Sequence, residues 1–375
     1  MQSIALTTTD ITSEEIKWTW ACRNLWKNDF KLAGSSVNDI PESGDLALFK
    51  VETIGYHDTI VSSGNSKLRI YPGDLIVGVF GNRYATDAYE GLVQGTSDLS
   101  LLTAGGMVGT VLSKHKDIEK PTSLSFIGFI MDSTGQRINM KKLKFRIEYP
   151  SGKPERLIVV VGTGMNTGKT TVSRKLVKSL SEQGFRVAAC KLTGSVSNRD
   201  QDELRSAGAK FVVDFSDYGF PSTYMSSRNE LIDLFNTMVS DIQKSEPDVI
   251  VMEIADGVIQ RETTMILEDA SFQKMVSKVV IAAESSLSGL YAVSLVEELG
   301  YKVACVSGKM TSSPLYVKEF QSNSTVPVIS SADHSGSLAR VVHDLFDNRF
   351  PFWNIVPTDS ASDEIKPSSL DLIAS

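Results

Sequence analysis

Cysteine, histidine and positive charge are all scarce in this 375-residue chain, and each scarcity removes a class of function. The three cysteines, Cys22, Cys190 and Cys305, are odd in number, far apart and outside any metal-ligand spacing, so neither a disulfide framework nor structural zinc is expected. Cys190 and Cys305 sit in strand-like apolar runs and read as buried structural thiols. The four histidines, His57, His115, His334 and His343, form no cluster. Acids outnumber bases by 45 to 38, a net charge of -7, which argues against a nucleic-acid partner because neutralising a phosphate backbone needs a basic face. No apolar run approaches the ~20 residues of a membrane span. The opening MQSIALTTTDITSEE lacks the positive start and apolar core of a signal peptide. The expectation is a cytoplasmic location with no membrane partner.

What is present is an ordinary globular composition, 41% hydrophobic and 22% charged, in a chain long enough for two or three domains of ~150 residues. The most informative stretch is Leu157 to Thr171, LIVVVGTGMNTGKTT. A β-branched run reads as a strand buried on both faces, and a glycine-punctuated loop follows and opens a helix at Lys169. Backbone N–H groups at a helix start cradle anions, Lys169 reaches the outer phosphates of a nucleotide, and the Thr170 hydroxyl suits magnesium. The nucleotide-binding set is therefore Gly162, Thr163, Gly164, Met165, Asn166, Thr167, Gly168, Lys169, Thr170 and Thr171. The first glycine stands at Gly162, one residue earlier than the usual spacing, with Thr163 in its place.

Upstream, residues 13 to 28 start with Ser13, Glu14 and Glu15 and read as a helix with buried aromatics. From Asp45 to Phe145, short apolar runs separated by turn signals such as Pro72-Gly73-Asp74 fit a compact antiparallel β unit, sandwich or barrel. Within it, Arg83 beside Gly81 and Asn82 reads as a solvated turn arginine, with an anion contact as the other possibility. Tyr149 to Pro154 reads as a linker, so the division expected is a helix plus β-rich domain over 1–150, a P-loop domain over 155–335, and a last helix with a mobile polar tail over 336–375. Downstream of the linker, strands alternate with helices, which predicts an α/β domain with a mostly parallel sheet. The strands are expected at 186–190, 211–213, 249–254, 279–283 and 303–306. Helices are expected at 201–207, 230–242 and 287–299, with Leu338, Val341, Val342, Leu345 and Phe346 at helical spacing.

A site on such a sheet lies at the carboxyl ends of the strands. Lys191 closes the second strand, Glu253 ends the fourth, and Asp200 and Asp202 follow the second. Phosphoryl transfer needs cations on the phosphates and carboxylates for magnesium, and this set supplies both. The candidate catalytic residues are Lys169 and Lys191, and the candidate metal ligands are Thr170, Asp200 and Glu253. Asp202 stands as an alternative to Asp200, and Asp256 as an alternative to Glu253.

GTGMNTGKT at 162–170, CKLTGS at 190–195 and MEIADG at 252–257 resemble the dethiobiotin synthetase branch of P-loop proteins, which includes the cobyrinic acid diamide synthetases. The resemblance covers 156 to about 330. It implies that ATP and Mg2+ serve as cofactors, that ATP phosphorylates a carboxylate or carbamate, and that a nucleophile then displaces phosphate. It also implies that Lys169 and Lys191 contact phosphate and substrate, that Thr170, one of Asp200 and Asp202, and Glu253 hold magnesium, and that the protein is a homodimer. Gly164 and Met165 stand where dethiobiotin synthetase has aspartate and threonine, so a different substrate is expected. The function expected is an ATP-dependent ligase acting on a small-molecule carboxylate, with the β unit and Asp217 to Met225 closing over it. A small-molecule kinase and a nucleotide-dependent binding or delivery protein are the alternatives.

Overall fold

The computed structural model describes residues 16–25, 31–33, 40–154, 156–330 and 336–345. In chain order the N-terminal strands are β1 Ile16–Trp18, β2 Lys31–Ala33, β3 Leu46–Thr53, β4 Thr59–Val61, β5 Lys67–Arg69, β6 Leu75–Phe80, β7 Tyr89–Leu92, β8 Leu99–Leu101, β9 Met107–Lys114 and β10 Ser123–Met131. A short helix α1, Met140–Lys144, follows, so the β texture stops before Phe145. Next come β11 Leu157–Gly162, α2 Lys169–Glu182, β12 Val187–Lys191, α3 Arg199–Ser206, β13 Phe211–Asp214, α4 Arg228–Gln243 and β14 Val249–Glu253. The chain continues through α5 Arg261–Leu267, α6 Ala270–Met275, β15 Lys278–Ala282, α7 Ser286–Glu298, β16 Val303–Ser307, α8 Pro314–Gln321 and α9 Gly336–Arg340.

The β unit resolves to a barrel. Strand β6 pairs with β3, β3 with β10, β10 with β8, β8 with β9, and β9 returns to β6, with the last pairing parallel and the others antiparallel. Closure satisfies edges that an open sheet would leave bare. Alternation along β3 sends Ala47, Phe49 and Val51 inward, where they meet Ile76, Phe80, Leu101 and Phe129. Leu46 and Leu48 point outward and are covered by Ala21, Cys22, Leu25 and Met140, and by Val196 from the other half of the chain.

The helix expected over 13–28 lies partly outside the described residues, and the described part is not helical. Ile16–Trp18 pairs in parallel with Leu75–Val77, and a single 3-10 turn follows at Trp20–Cys22. Pairing with the barrel edge outweighs the apolar spacing that suggested a helix. Arg83 is not a solvated turn residue either. It is half-buried, its guanidinium lies over the Tyr89 ring and donates to the Leu102 carbonyl, and its backbone exchanges hydrogen bonds with Gly91. Burial, with Arg83 beside it, pushes His57 down to about 4.

The second half is an α/β layer: six strands in the order β13-β12-β14-β11-β15-β16, every pair parallel. Leu157, Val159 and Val161 face the side packed by α4 to α8, while Ile158 and Val160 face α2, α3 and α9. Leu338 and Val342 pack on that second face, and Phe346 lies outside the described residues. All three cysteines are buried, and burial pushes the Cys22 and Cys305 thiols up to about 12 and raises Cys190 as well. Among the described residues no helix is long and apolar enough to cross a membrane.

The barrel and the parallel sheet are packed together. Arg23 donates to Ser216 Oγ at 3.1 Å and to Asp217 Oδ1 at 2.6 Å, Lys141 pairs with Glu230, and the Phe145 and Phe220 rings meet at 5.1 Å. Gly219, at φ +83°, leaves no space at this seam, since a Cβ there would come within 2.2 Å of the Met140 carbonyl. Gly184, at φ +88° after α2, has nothing within 4 Å. The two positions share a backbone strain and differ only in the seam. Gly184→Ala should therefore cost about 1–2 kcal/mol, the left-handed penalty alone, and Gly219→Ala roughly 3 kcal/mol or more, read from denaturant unfolding. Equal losses would mean the seam is not packed as described.

Candidate active site

The P-loop is built from the inside outward. Gly162 ends β11 in full burial, and a Cβ there would meet Thr167 Oγ1 at 2.6 Å and the Lys169 stem at 2.8 Å. That crowding explains why glycine sits at 162. The following position tolerates Thr163, whose Oγ1 accepts from the Glu284 N–H at 3.2 Å. Asn166 takes φ +58° and Gly168 takes φ +99°, which turn the chain into α2. Thr167 Oγ1 donates to the Gly164 carbonyl at 3.2 Å, and the Thr167 carbonyl accepts from Lys309 N at 2.9 Å.

Above the loop is a cavity of about 370 Å3 lined by Met165, Asn166, Gly168, Lys169, Thr170 and Thr171 on one side. Lys191, Asp200, Glu253 and Asp256 close the other side, with Arg199 and Glu203 at the margin. Of the loop residues expected to bind nucleotide, Gly162, Thr163, Gly164 and Thr167 do not line it and instead shape the loop. Asp202 does not line it either and turns toward Asn65, which donates to its Oδ2 at 3.1 Å.

Parallel register places Lys191 directly beside Glu253 on the neighbouring strand. Glu253 is 3% exposed and accepts from Thr170 Oγ1 and Ser173 Oγ, each at 3.2 Å, with Lys191 Nζ at 3.4 Å. Lys191 also donates to Asp200 Oδ2 at 2.6 Å. Burial alone would lower the Lys191 ammonium, but Glu253 and Asp200 outweigh it and raise it above its ordinary value. Lys169 is 7% exposed and donates to the Gly164 and Asp256 carbonyls, both at 2.7 Å. Burial, with Lys191 nearby, pulls Lys169 down to about 8 against the pull of Glu253 and Asp256.

The sequence reading missed Ser173, Arg199 and Glu203. Ser173 carried a usable signal, since it lies three residues after Thr170 on one helix and so shares its face. Arg199 and Glu203 are one turn apart on α3, where the expected helix began only at 201. The barrel also reaches the loop tip: Asn166 Nδ2 donates to Asp87 Oδ2 at 2.7 Å, and Met165 packs with Ala85, Ala88 and Tyr89. The Asp217 to Met225 segment meets the barrel as well, through Tyr224 Oη to Glu90 Oε1 at 3.1 Å and the Tyr84–Tyr224 rings at 5.5 Å.

The donors around Thr170 are all oxygen, the chemistry that magnesium takes. Among the described residues no group of three or more His, Cys, Asp or Glu is set to hold a metal. Magnesium beside a P-loop does not need such a group, because one or two protein oxygens with phosphate and water suffice. Thr170 and Glu253, already in contact, fit that role, and Asp200 fits once Lys191 turns toward an anion.

Asp256 stands apart. It adopts φ +61°, and burial raises its carboxyl from 3.8 to about 6 despite the nearby Lys169 and Lys191. For an acid raised on folding, the native state binds more protons than the unfolded chain between those values, so a penalty grows as pH rises and is complete above about 6. Asn tolerates the left-handed backbone. Asp256→Asn is expected to raise the melting temperature by a few degrees near pH 8 and to lose that gain near pH 4, measured by calorimetry at both. A gain equal at both pH values would contradict the assignment.

No protein-family model matches the sequence, and no curated protein does. Among solved structures, the chain is similar to the signal recognition particle receptor FtsY from Elizabethkingia anophelis, at 16% identity over 55% of this chain and 70% of that one, TM-score 0.35. It is similar also to hydrogenase maturation factor HypB from Archaeoglobus fulgidus, at 12% identity over 51% of this chain and 91% of that one, TM-score 0.36. The kinase domain of the Escherichia coli tyrosine kinase ETK matches at 11% identity over 41% of this chain and 66% of that one, TM-score 0.30. Likenesses this distant are silent on activity.

Proposed function

We propose that the chain is a magnesium- and nucleotide-dependent enzyme that phosphorylates a small-molecule carboxylate, in the manner of an ATP-dependent ligase. The observation that carries the reading is a second lysine, half-buried, on the same cavity as the buried Lys169. A P-loop lysine alone serves hydrolysis or transfer to a neutral hydroxyl. An anionic acceptor must approach an already anionic triphosphate, and that approach needs a further cation. Lys191 lines the same cavity as Lys169 and is held by Asp200 and Glu253; in this reading it exchanges Asp200 for a substrate carboxylate.

In the reaction proposed, a carboxylate oxygen forms a bond to the γ-phosphorus as the bond to the bridging oxygen breaks, giving an acyl phosphate and ADP. An amine then attacks the carbonyl carbon, inorganic phosphate leaves, and the amine proton is released. Lys169 neutralises the phosphate oxygens and Lys191 orients the acid. When bound, magnesium would be held by Thr170 and Glu253, with Asp200 as a further oxygen ligand, and would offset charge building on the transferred oxygens.

A second reading, a kinase acting on an alcohol, is favoured by Asp256. A carboxyl near pH 6 at the cavity wall suits a general base. The product separates the two readings, since a stable phosphomonoester accumulates only in the kinase.

The test is ADP release over a panel of carboxylic acids, each with and without an amine. Release should require both co-substrates and fall by about a hundredfold or more in Lys169→Ala and in Lys191→Arg. The arginine variant keeps Glu253 compensated, so its loss would not reflect unfolding. Release indifferent to acids, or unchanged in Lys191→Arg, would contradict the proposal.

A further inference from the structure

A second and larger cavity, about 810 Å3, lies beside the phosphate cavity in the cleft where the barrel meets α2 and α3. One wall is the β4–β5 hairpin, and the other is the exposed flank of the P-loop helix with α3. The hairpin tip is clamped to α3: Asn198 donates to Asn65 Oδ1 at 2.6 Å, and Asn65 donates to Asp202 at 3.1 Å. Ile60, Val61, Ala104 and Ala207 give the cleft an apolar floor.

Its charge runs against that of the chain. Five cations line it, Lys67, Arg174, Lys175, Lys178 and Arg199, against two carboxylates, in a protein of net charge -7. Arg199 and Arg174 lean on Glu203 at 2.8 and 3.8 Å, and Lys178 pairs with Glu182 at 2.8 Å. Lys67 and Lys175, which come from the two opposing walls, have no carboxylate partner among the described residues. An apolar floor between unpaired cations suits a ligand that is apolar in the middle and anionic at its end. The cleft is also joined to the site described above, because Arg199 and Glu203 line both cavities.

We propose that this cleft holds the body of the acceptor, a small molecule with two acid groups on an apolar spacer. Lys67 and Lys175 hold the distal acid, and the reactive acid passes Arg199 to reach Lys191. This rests on the carboxylate-activation reading and adds the substrate class. It also gives the N-terminal half a role at the site, since the separate β4–β5 hairpin supplies one wall of the cleft.

The probes are straight-chain α,ω-dicarboxylic acids of roughly six to twelve carbons, a range suited to a small-molecule cavity, with monocarboxylic acids of the same lengths. ADP release is measured in the presence of an amine with the full chain, with Lys67→Glu and Lys175→Glu, and with Lys67→Arg as a charge-keeping control. ADP affinity is read in parallel by calorimetry. Dicarboxylates should show a KM about tenfold or more below the matching monocarboxylates. Each Glu variant should raise the dicarboxylate KM by about tenfold and leave kcat, monocarboxylate KM and ADP affinity within about twofold, and Lys67→Arg should keep the wild-type KM. Dicarboxylate turnover with KM unchanged in both Glu variants would overturn the cleft assignment while the ligase reading stood. If no acid drives ADP release although ADP binds, the ligase reading fails, and calorimetry of a dicarboxylate with the ADP-loaded protein decides the cleft. Binding removed by Lys67→Glu would support it, and absence of binding would overturn it.

Discussion

Glu253 is a carboxylate almost without solvent contact, and the arrangement around it follows from keeping that charge compensated. Its partners come from two elements: Thr170 and Ser173 from α2, and Lys191 from the end of β12. Each contact requires a geometric fact elsewhere. Lys191 reaches it because β12 and β14 pair in a register that sets the two residues side by side. Thr170 and Ser173 reach it because the loop between Gly162 and Gly168 delivers α2 to the carboxyl edge of the sheet. A buried charge stripped of a partner costs about 3–5 kcal/mol, so sheet register, loop conformation and helix position are tied to one another through one side chain. Lys191, which supplies part of that compensation, lines one cavity together with Lys169, which is held by the Gly164 and Asp256 carbonyls.

The N-terminal half is bound into this arrangement at three places. Arg23 meets Asp217 beside the strand end of β13, Met165 and Asn166 at the loop tip touch the Ala85 to Tyr89 segment, and the β4–β5 hairpin walls the cleft along α2. Closure of the barrel through β6 and β9 fixes where these segments emerge. Its inner residues hold it together, and its outer face and loops carry the contacts with the sheet. Both halves therefore meet beside α2, the glycine loop coming from one and the β4–β5 hairpin from the other.

Much of this was legible in the sequence because it is local. Continuous apolar runs marked the strands of the parallel sheet to within a residue or two, and the glycine pattern with Lys169 and Thr170 marked the loop. Lys191 and Glu253 stood out as charged groups closing apolar runs. Features set by distant pairing were not legible. Ile16–Trp18 became a strand because a barrel edge was available to it, and barrel closure depends on a parallel pairing between β6 and β9 that no turn signal announces. Helices α5, α6 and α8 are short and begin at side-chain caps, Gln260, Asp269 and Ser313, so apolar periodicity was too brief to reveal them. Arg83 looked like a turn residue, and what places its guanidinium on Tyr89 is a strand six residues further on.

The most direct measurement of the central claim is a calorimetric titration of ADP into the protein, with and without magnesium, for wild type and Lys169→Met. The account predicts one nucleotide per chain, tighter binding when magnesium is present, and affinity weaker by about a hundredfold in the variant, a loss of some 2.7 kcal/mol. Affinity indifferent to both magnesium and Lys169 would contradict it, because the cavity beneath Glu253 would then not be the place where phosphate is held.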